Sequence, residues 1–566
     1  MGEKQERSHF MIKTIKLKFG RGFGSASEKI VTTPVTVFVG PNNSGKSKAL
    51  SEINYYCSTG QRNTTDVILD SIEFDTFSTE IAEEKITKVT LQPHLNEGLL
   101  PEHIIVGKRG TRNQVHKQHL LNAFQNTNSQ PQQFCQWYLA SNTLILDGRS
   151  RINLIGQQSA GDLQQQPQTS FQVLFRDDAK RKEVRRVIHD AFGTYFVIDP
   201  TYLGQLRLRL ASCPPATDME ERGIHDEAVK FHAQAFPVEQ ASDGVKAFTG
   251  IITEIVAGDP AIILIDEPEA FLHPSLSFKL GKEIAFSSLG SEKRLFVSTH
   301  SPNFVMGCIQ SGAPVNIVRL TYRSEVATAR VLSNTDILRL MRNPLLRSTG
   351  VLGGLFYEFV IVTESDADRA FYQEINERLL RHKPELGIPN CLFLNAQNKQ
   401  TVQIIIKPLR ELGIPAVGIV DVDILKDGGR DWTNFLKGGF VPELEHQSLG
   451  GLRNAVKQKI DETGKEMKRN GGVDILSGSD KEAANNLFDK LAEYGLFVVR
   501  KGELESWLSS VGATGHGPSW LIDIFEKMGE DPESQDYLKP SDDDVWLFCG
   551  EIKKWFTNPN RKGIPS

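Results

Sequence analysis

Val35-Thr36-Val37-Phe38-Val39-Gly40-Pro41-Asn42-Asn43-Ser44-Gly45-Lys46-Ser47 decides the class of fold. The first five residues, apolar or β-branched, predict a short buried strand, and the glycine-rich stretch after them predicts a tight turn. The turn satisfies the spacing G-x-x-x-x-G-K-S, whose curled backbone presents its N–H groups to a chain of phosphates. On that reading Gly40, Asn42, Asn43, Ser44 and Gly45 form a cradle for ATP. Lys46 reaches its outer phosphates, and the Ser47 hydroxyl ligates Mg²⁺. A helix-compatible run follows, and the dipole at its N-terminus favours the same anion.

Such a cradle needs an acid for the metal and a base for the water. Residues 261–265 read as an apolar strand ending in Asp266-Glu267. Asp266 is placed to hold Mg²⁺ through water, and Glu267 to polarise the attacking water. Ser242-Asp243-Gly244 reads as an exposed turn opening a helix, and Ser298-Thr299-His300-Ser301 follows a second strand at 295–298. Strands alternating with helical stretches predict an α/β domain. Residues 122–136 read as an exposed loop and 157–168 as a glutamine-rich surface connection. Arg176, Lys180, Arg181, Lys182, Arg185 and Arg186 fall on what reads as one basic helix, a solvated face unless it meets DNA or another subunit.

The texture restarts after about Leu346, with residues 343–354 as the expected linker. Strands at 359–363, 391–395 and 416–420, with helices at 366–380 and 402–412, predict a βαβαβ unit. Glu364 follows the first of these strands, with Asp368 four residues on, and Asp421 and Asp423 follow the third. A further strand at 496–499 leads into Lys501, Glu503 and Glu505. Parallel strands bring their C-termini to one edge, so these carboxylates gather there. Hard oxygen donors suit Mg²⁺ or Mn²⁺, and a metal pair activates water against a phosphodiester.

The whole-chain numbers limit the alternatives. At 566 residues, 39% hydrophobic and 24% charged, the chain is ordinary globular material for several domains. Its net charge of −5 excludes a polybasic coat, so any nucleic-acid contact must be local. No apolar run is long enough for a membrane helix. Residues 1–19 lack the apolar core of a secretory signal, and Glu6 spoils a myristoylation reading of Gly2. Six scattered cysteines with no CxxC predict reduced thiols and a cytoplasmic protein.

The order GPNNSGKS, SDG, LIDEPE, LHP and STHS over residues 10–340 resembles ABC-type P-loop ATPases of the AAA15/OLD-like branch. The resemblance implies that Ser242 and Gly244 contact nucleotide in trans, pairing at least two copies in a homo-oligomer, and that His300 is the γ-phosphate switch. E-x-x-x-D followed by D-x-D resembles a Toprim domain, a Rossmann-like parallel sheet with a metal centre. Both modules in one chain are similar to the OLD (overcoming lysogenization defect) ATP-dependent endonucleases. That implies an ATPase domain over 1–345, with a helical, dimerising insertion at about 170–222, and a Toprim nuclease domain with helical additions over 346–566. By the same resemblance Glu364, Asp368, Asp421 and Asp423 bind a first metal. Asp421 shares a second metal with Glu503 and Glu505, and Lys501 is the catalytic lysine. Ser365 stands where Toprim domains usually carry glycine, which narrows the approach of a DNA backbone or alters the metal geometry.

The expected function is therefore ATP-regulated, Mg²⁺- or Mn²⁺-dependent cleavage of DNA in bacterial anti-phage defence. A second defence component, protein or nucleic acid, is an expected partner; a membrane is not. The alternative is a non-cleaving, ATP-driven sensor or scaffold whose second domain binds a partner.

Overall fold

The computed structural model describes residues 11–22, 24–94, 97–108, 110–323 and 325–565. The residues read above for a signal or a lipid attachment, through position 10, lie outside the described ones. The chain divides into two compact units, one ending at Thr335 and the other spanning Asp336–Ser566. The expected linker at 343–354 lies inside the second unit, where it forms the helix Pro344–Ser348 and the 3₁₀ turn Val351–Phe356.

In the first unit the phosphate-loop strand Val35–Val39 is buried at every position and central to a six-stranded sheet. The strand order is Val326–Leu332, Val315–Arg323, Val35–Val39, Arg294–Ser298, Ile262–Asp266, Thr143–Leu146. All neighbours run parallel except the first pair, which is antiparallel. Register pairs Phe38 with Ser298 and Ser298 with Asp266, so three strand ends meet at one edge. Runs of β-branched and aromatic residues without polar alternation give strands covered on both faces. An antiparallel sheet of Lys29–Val31, Ile12–Leu17 and Leu69–Phe74 adds a second layer.

Two expectations for this unit need correction. Residues 122–136 are not an exposed loop. Phe124, Phe134 and Cys135 are fully buried, carried by the helices Lys117–Gln125 and Pro131–Phe134 and the π-helical turn Cys135–Leu139. Polar neighbours mask these three anchors in sequence, and it is the anchors that fold the segment inward. The insertion at 170–222 is not all helical, because Tyr195–Asp199 and Gln205–Ala211 pair as antiparallel strands within it.

The basic run is likewise two helices, Ser170–Arg176 and Asp178–Phe192, parted where Asp177 caps the second. Arg181 is buried on Glu221 at 2.9 Å, Arg185 reaches the same carboxylate at 2.6 Å, and Arg186 pairs with Glu183, Asp190 and Glu283. Half of the six cations are therefore neutralised within the fold rather than offered to DNA.

The second unit holds a four-stranded parallel sheet in the order Cys391–Asn395, Phe359–Thr363, Ala416–Asp421, Leu496–Val499. Asp421 registers with Val499, and Thr363, the residue before Glu364, with Asn395. Phe371, Tyr372, Trp507, Trp520, Trp546 and Phe556 belong to its core. No helix among the described residues is long and apolar enough to cross a membrane, and the six cysteines are all free.

Candidate functional sites

In the first unit the phosphate loop turns through Asn43, at φ 61°, into the helix Lys46–Thr59. Lys46 is buried and its ammonium donates to the carbonyls of Gly40 (3.0 Å) and Pro41 (2.8 Å), with Ser44 Oγ at 3.5 Å. Burial drives its pKa down to about 8, against the opposing pull of Glu267, Asp266 and Glu269. The Ser47 hydroxyl donates to Asp266 Oδ1 at 2.8 Å, and Ser298 Oγ donates to the same oxygen. The two residues expected to share a magnesium are thus already in contact.

Glu267 takes a left-handed backbone at φ 47°, uncommon for a residue with a side chain, and its N–H donates to Ser298 O at 2.9 Å. Arg151 Nη1 donates to the carbonyls of both Asp266, at 2.6 Å, and Glu267. The backbone around Glu267 is therefore pinned by a buried guanidinium. His300 Nε2 lies 3.5 Å from Glu267 Oε1, and burial together with Lys46 lowers its pKa. Glu269 accepts the His300 N–H at 2.8 Å, and burial raises its pKa.

The structure therefore gathers Gly40, Ser44, Lys46, Ser47, Asp266, Glu267 and His300, while Asn42 and Asn43 are exposed on the loop. Ser242 and Gly244 stand at the start of the helix Asp243–Val256, Ser242 exposed and Gly244 buried against Phe271. No hydrogen bond joins either to the loop among the described residues. Arg151 and Glu269 carried no sequence signal of their own, although Glu269 lies two residues beyond Glu267.

In the second unit Glu364, Asp421 and Asp423 bring one carboxylate oxygen each to within 4.8 Å of one another. Glu364 Oε1 accepts the Asp421 N–H at 2.8 Å, which fixes the spacing of two strand ends. Burial, followed by the neighbouring carboxylates, raises the pKa of Glu364; burial raises that of Asp421 while Lys468 opposes it. Asp423 Oδ1 is buried without a hydrogen-bond partner. A buried orphan oxygen beside two crowded carboxylates fits a hard divalent cation.

Asp368, near enough to act on the charges of Glu364 and Asp421, also has a part in the fold. It closes a capping box with Ser365, its carboxylate accepting the Ser365 N–H at 2.9 Å and the Ser365 hydroxyl. Ser365 thus engages one of the expected ligands.

Glu503, Glu505 and His516 form a second group with ligand atoms within 4.8 Å, His516 Nδ1 lying 2.6 Å from Glu505. Lys501 borders the same open cleft of about 720 Å³, but its ammonium pairs with Asp544 at 2.6 Å. The cation that reaches the acids is Lys468, 2.8 Å from Asp421, 3.6 Å from Glu503 and 3.9 Å from Asp423. Lys399 lies 3.0 Å from Asp423 Oδ2, the oxygen that Lys468 also approaches. Neither lysine nor His516 stood in a recognisable motif.

Residues 173–306 match the family described as "AAA domain, putative AbiEii toxin, Type IV TA system". The match covers Asp266, Glu267 and His300 and supports an ATPase domain in the first unit. Among solved structures the chain is similar to an SMC head bound to the C-winged helix domain of ScpA, at 15% identity and TM-score 0.34, covering 58% of this chain and 99% of that one. It is also similar to the SMC head domain from Thermotoga maritima, at 12% identity and TM-score 0.28, covering 57% and 99%. A third likeness is to a Pyrococcus furiosus Smc head with an extended coiled coil bound to the C-terminal domain of ScpA, at 13% identity and TM-score 0.32, covering 59% and 98%. Overlaps at those TM-scores carry no weight for function. No curated protein matches the chain at a significant level.

Proposed function

We propose that the chain is an ATP-regulated, metal-dependent DNA endonuclease of the Toprim-bearing OLD kind, acting in anti-phage defence. The observation that carries the nuclease half is the convergence of Glu364, Asp421 and Asp423 at parallel strand ends, with Asp423 Oδ1 left unpartnered. These residues hold a first Mg²⁺ or Mn²⁺, and Asp421, Glu503 and Glu505 a second. When bound, such ions supply an activated water and stabilise the leaving oxygen of a phosphodiester. The chain's own work is to fix the donors: Glu364 grips the Asp421 N–H, and Ser365 with Asp368 locks the start of the following helix.

In the ATPase unit Lys46 receives the outer phosphates, Ser47 and Asp266 hold Mg²⁺, and Glu267 accepts a proton from the attacking water beside His300. Exposed Ser242, with Gly244 behind it, faces the nucleotide of a second copy. The matched family's description as a putative toxin agrees with a defence setting.

The test is cleavage of plasmid and linear duplex DNA in Mg²⁺ or Mn²⁺, with and without ATP. Glu364→Ala is expected to lose cleavage by at least about a hundredfold while keeping ATP hydrolysis, and Lys46→Ala to lose ATP binding. Undiminished cleavage by the Glu364 variant would falsify the site. The second reading, a non-cleaving sensor, is favoured by one feature, Lys468 already seated among the acids. It predicts ATP hydrolysis with no cleavage by either protein.

A further inference from the structure

The acids at the sheet edge need positive charge whether or not a metal is present. Glu364, Asp421, Asp423 and Glu503 are largely shielded from water, the first three crowded together, and like charges so placed repel one another. The structure answers with Lys468. Its ammonium reaches both groups, Asp421 and Asp423 on one side and Glu503 on the other. It therefore lies at the junction of the two ligand groups.

This lysine is not a loose surface residue that happens to fold over. Its side chain is only 25% exposed. Its own carbonyl packs so tightly on Gly502, at φ 130°, that a Cβ there would lie 2.0 Å away. Next to it Met467 is buried and its carbonyl accepts the Gly472 N–H at 2.9 Å, while the Val473 N–H donates to Arg500 O at 2.8 Å. The turn carrying Lys468 is thus clamped to the turn carrying Glu503. Its backbone is fixed, yet a four-carbon stem still lets the ammonium leave.

We propose that Lys468 is a built-in competitor for the divalent cation: its ammonium holds the seat at Asp421 and is displaced when the metal binds. The inference rests on the metal-site reading above and adds a control to it. The site then loads only where the metal is abundant or where a substrate phosphate helps to draw the lysine away.

The experiment uses the full chain without nucleotide and Mn²⁺ as the probe, with binding read from the paramagnetic resonance of free Mn²⁺. Asp421→Asn identifies which ions belong to the site. Losing the competing charge-assisted contacts, Lys468→Met is expected to bind Mn²⁺ about tenfold tighter than wild type, and Lys468→Arg about as weakly as wild type. Equal or weaker binding by Lys468→Met overturns the inference while leaving the metal site standing. Binding by neither protein overturns the metal reading and the inference with it.

A second measurement needs no variant. Acetic anhydride labelling of wild-type Lys468, followed by mass spectrometry, is expected to rise several-fold when Mn²⁺ is added, and an unchanged or lower yield overturns the displacement. Neither readout depends on DNA cleavage.

Discussion

Lys46 has two sets of partners, the carbonyls it now caps and the phosphates it is built to meet. With the group buried, its pKa falls to about 8, below the roughly 10.4 of an unfolded lysine. Between those values the unfolded chain binds more protons than the folded one. The group's contribution to stability therefore rises as pH climbs from about 8 to about 10.4, and below pH 8 its buried charge is a constant cost. A triphosphate reverses the balance by favouring the ammonium. At about pH 9 ATP binding is thus expected to take up nearly one proton at Lys46, and at about pH 6.5 almost none there. Calorimetry in two buffers of different ionisation enthalpy measures this, and Lys46→Met should lose the uptake at pH 9. Absence of uptake by wild type at pH 9 would mean that the phosphates do not meet Lys46. This residue was legible in sequence because its motif fixes every neighbour. Lys468 was not, since its partners are brought to it from strands on either side of its turn.

Elements were legible wherever a β-branched run stood alone. The strand expected at 359–363 spans Phe359–Thr363, and that at 496–499 spans Leu496–Val499. What joins these elements was invisible, because it depends on single polar residues buried by tertiary contact. Arg410, at the end of the helix Lys399–Glu411, is fully buried and donates to the carbonyls of Ala416, Gly439, Tyr494, Gly495 and Gly563. No motif in the sequence marks it, and the run holding Arg181 read as a solvated face. Arg410→Met keeps the volume but takes a donor from five carbonyls, of which Gly495 O alone keeps another, the Gly418 N–H, and is expected to cost the second unit about 3 kcal/mol or more. Hydrogen exchange checks this: amides of Ala416–Asp421 and Leu496–Val499 should exchange about a hundredfold faster than in wild type. Unchanged rates would show that water replaces the guanidinium without loss.

Across the whole molecule, two compact units, each with a large core of its own, predict two separable responses to ligands. The first unit's core includes Phe38, Leu50, Phe74 and Phe134; the second is built around tryptophans. Of the chain's tryptophans, Trp432, Trp507, Trp520, Trp546 and Trp555 lie beyond Asp336 and only Trp137 before it. Intrinsic fluorescence therefore reports mainly the second unit, whereas calorimetry sees both. A ligand at a hundred times its Kd stabilises the state it binds by about 2.7 kcal/mol. Mn²⁺ is accordingly expected to raise the fluorescence transition by several degrees, and Asp421→Asn to abolish that rise. ATP with Mg²⁺ should raise a calorimetric transition that fluorescence barely follows, and Lys46→Met should remove it. If ATP moved the tryptophan transition as far as the calorimetric one, the units would unfold together, and nucleotide would then act on the metal site through stability itself. If it left the fluorescence unmoved, control of cleavage by ATP would run by a route other than shared stability, such as the proposed pairing of copies at Ser242 and Gly244.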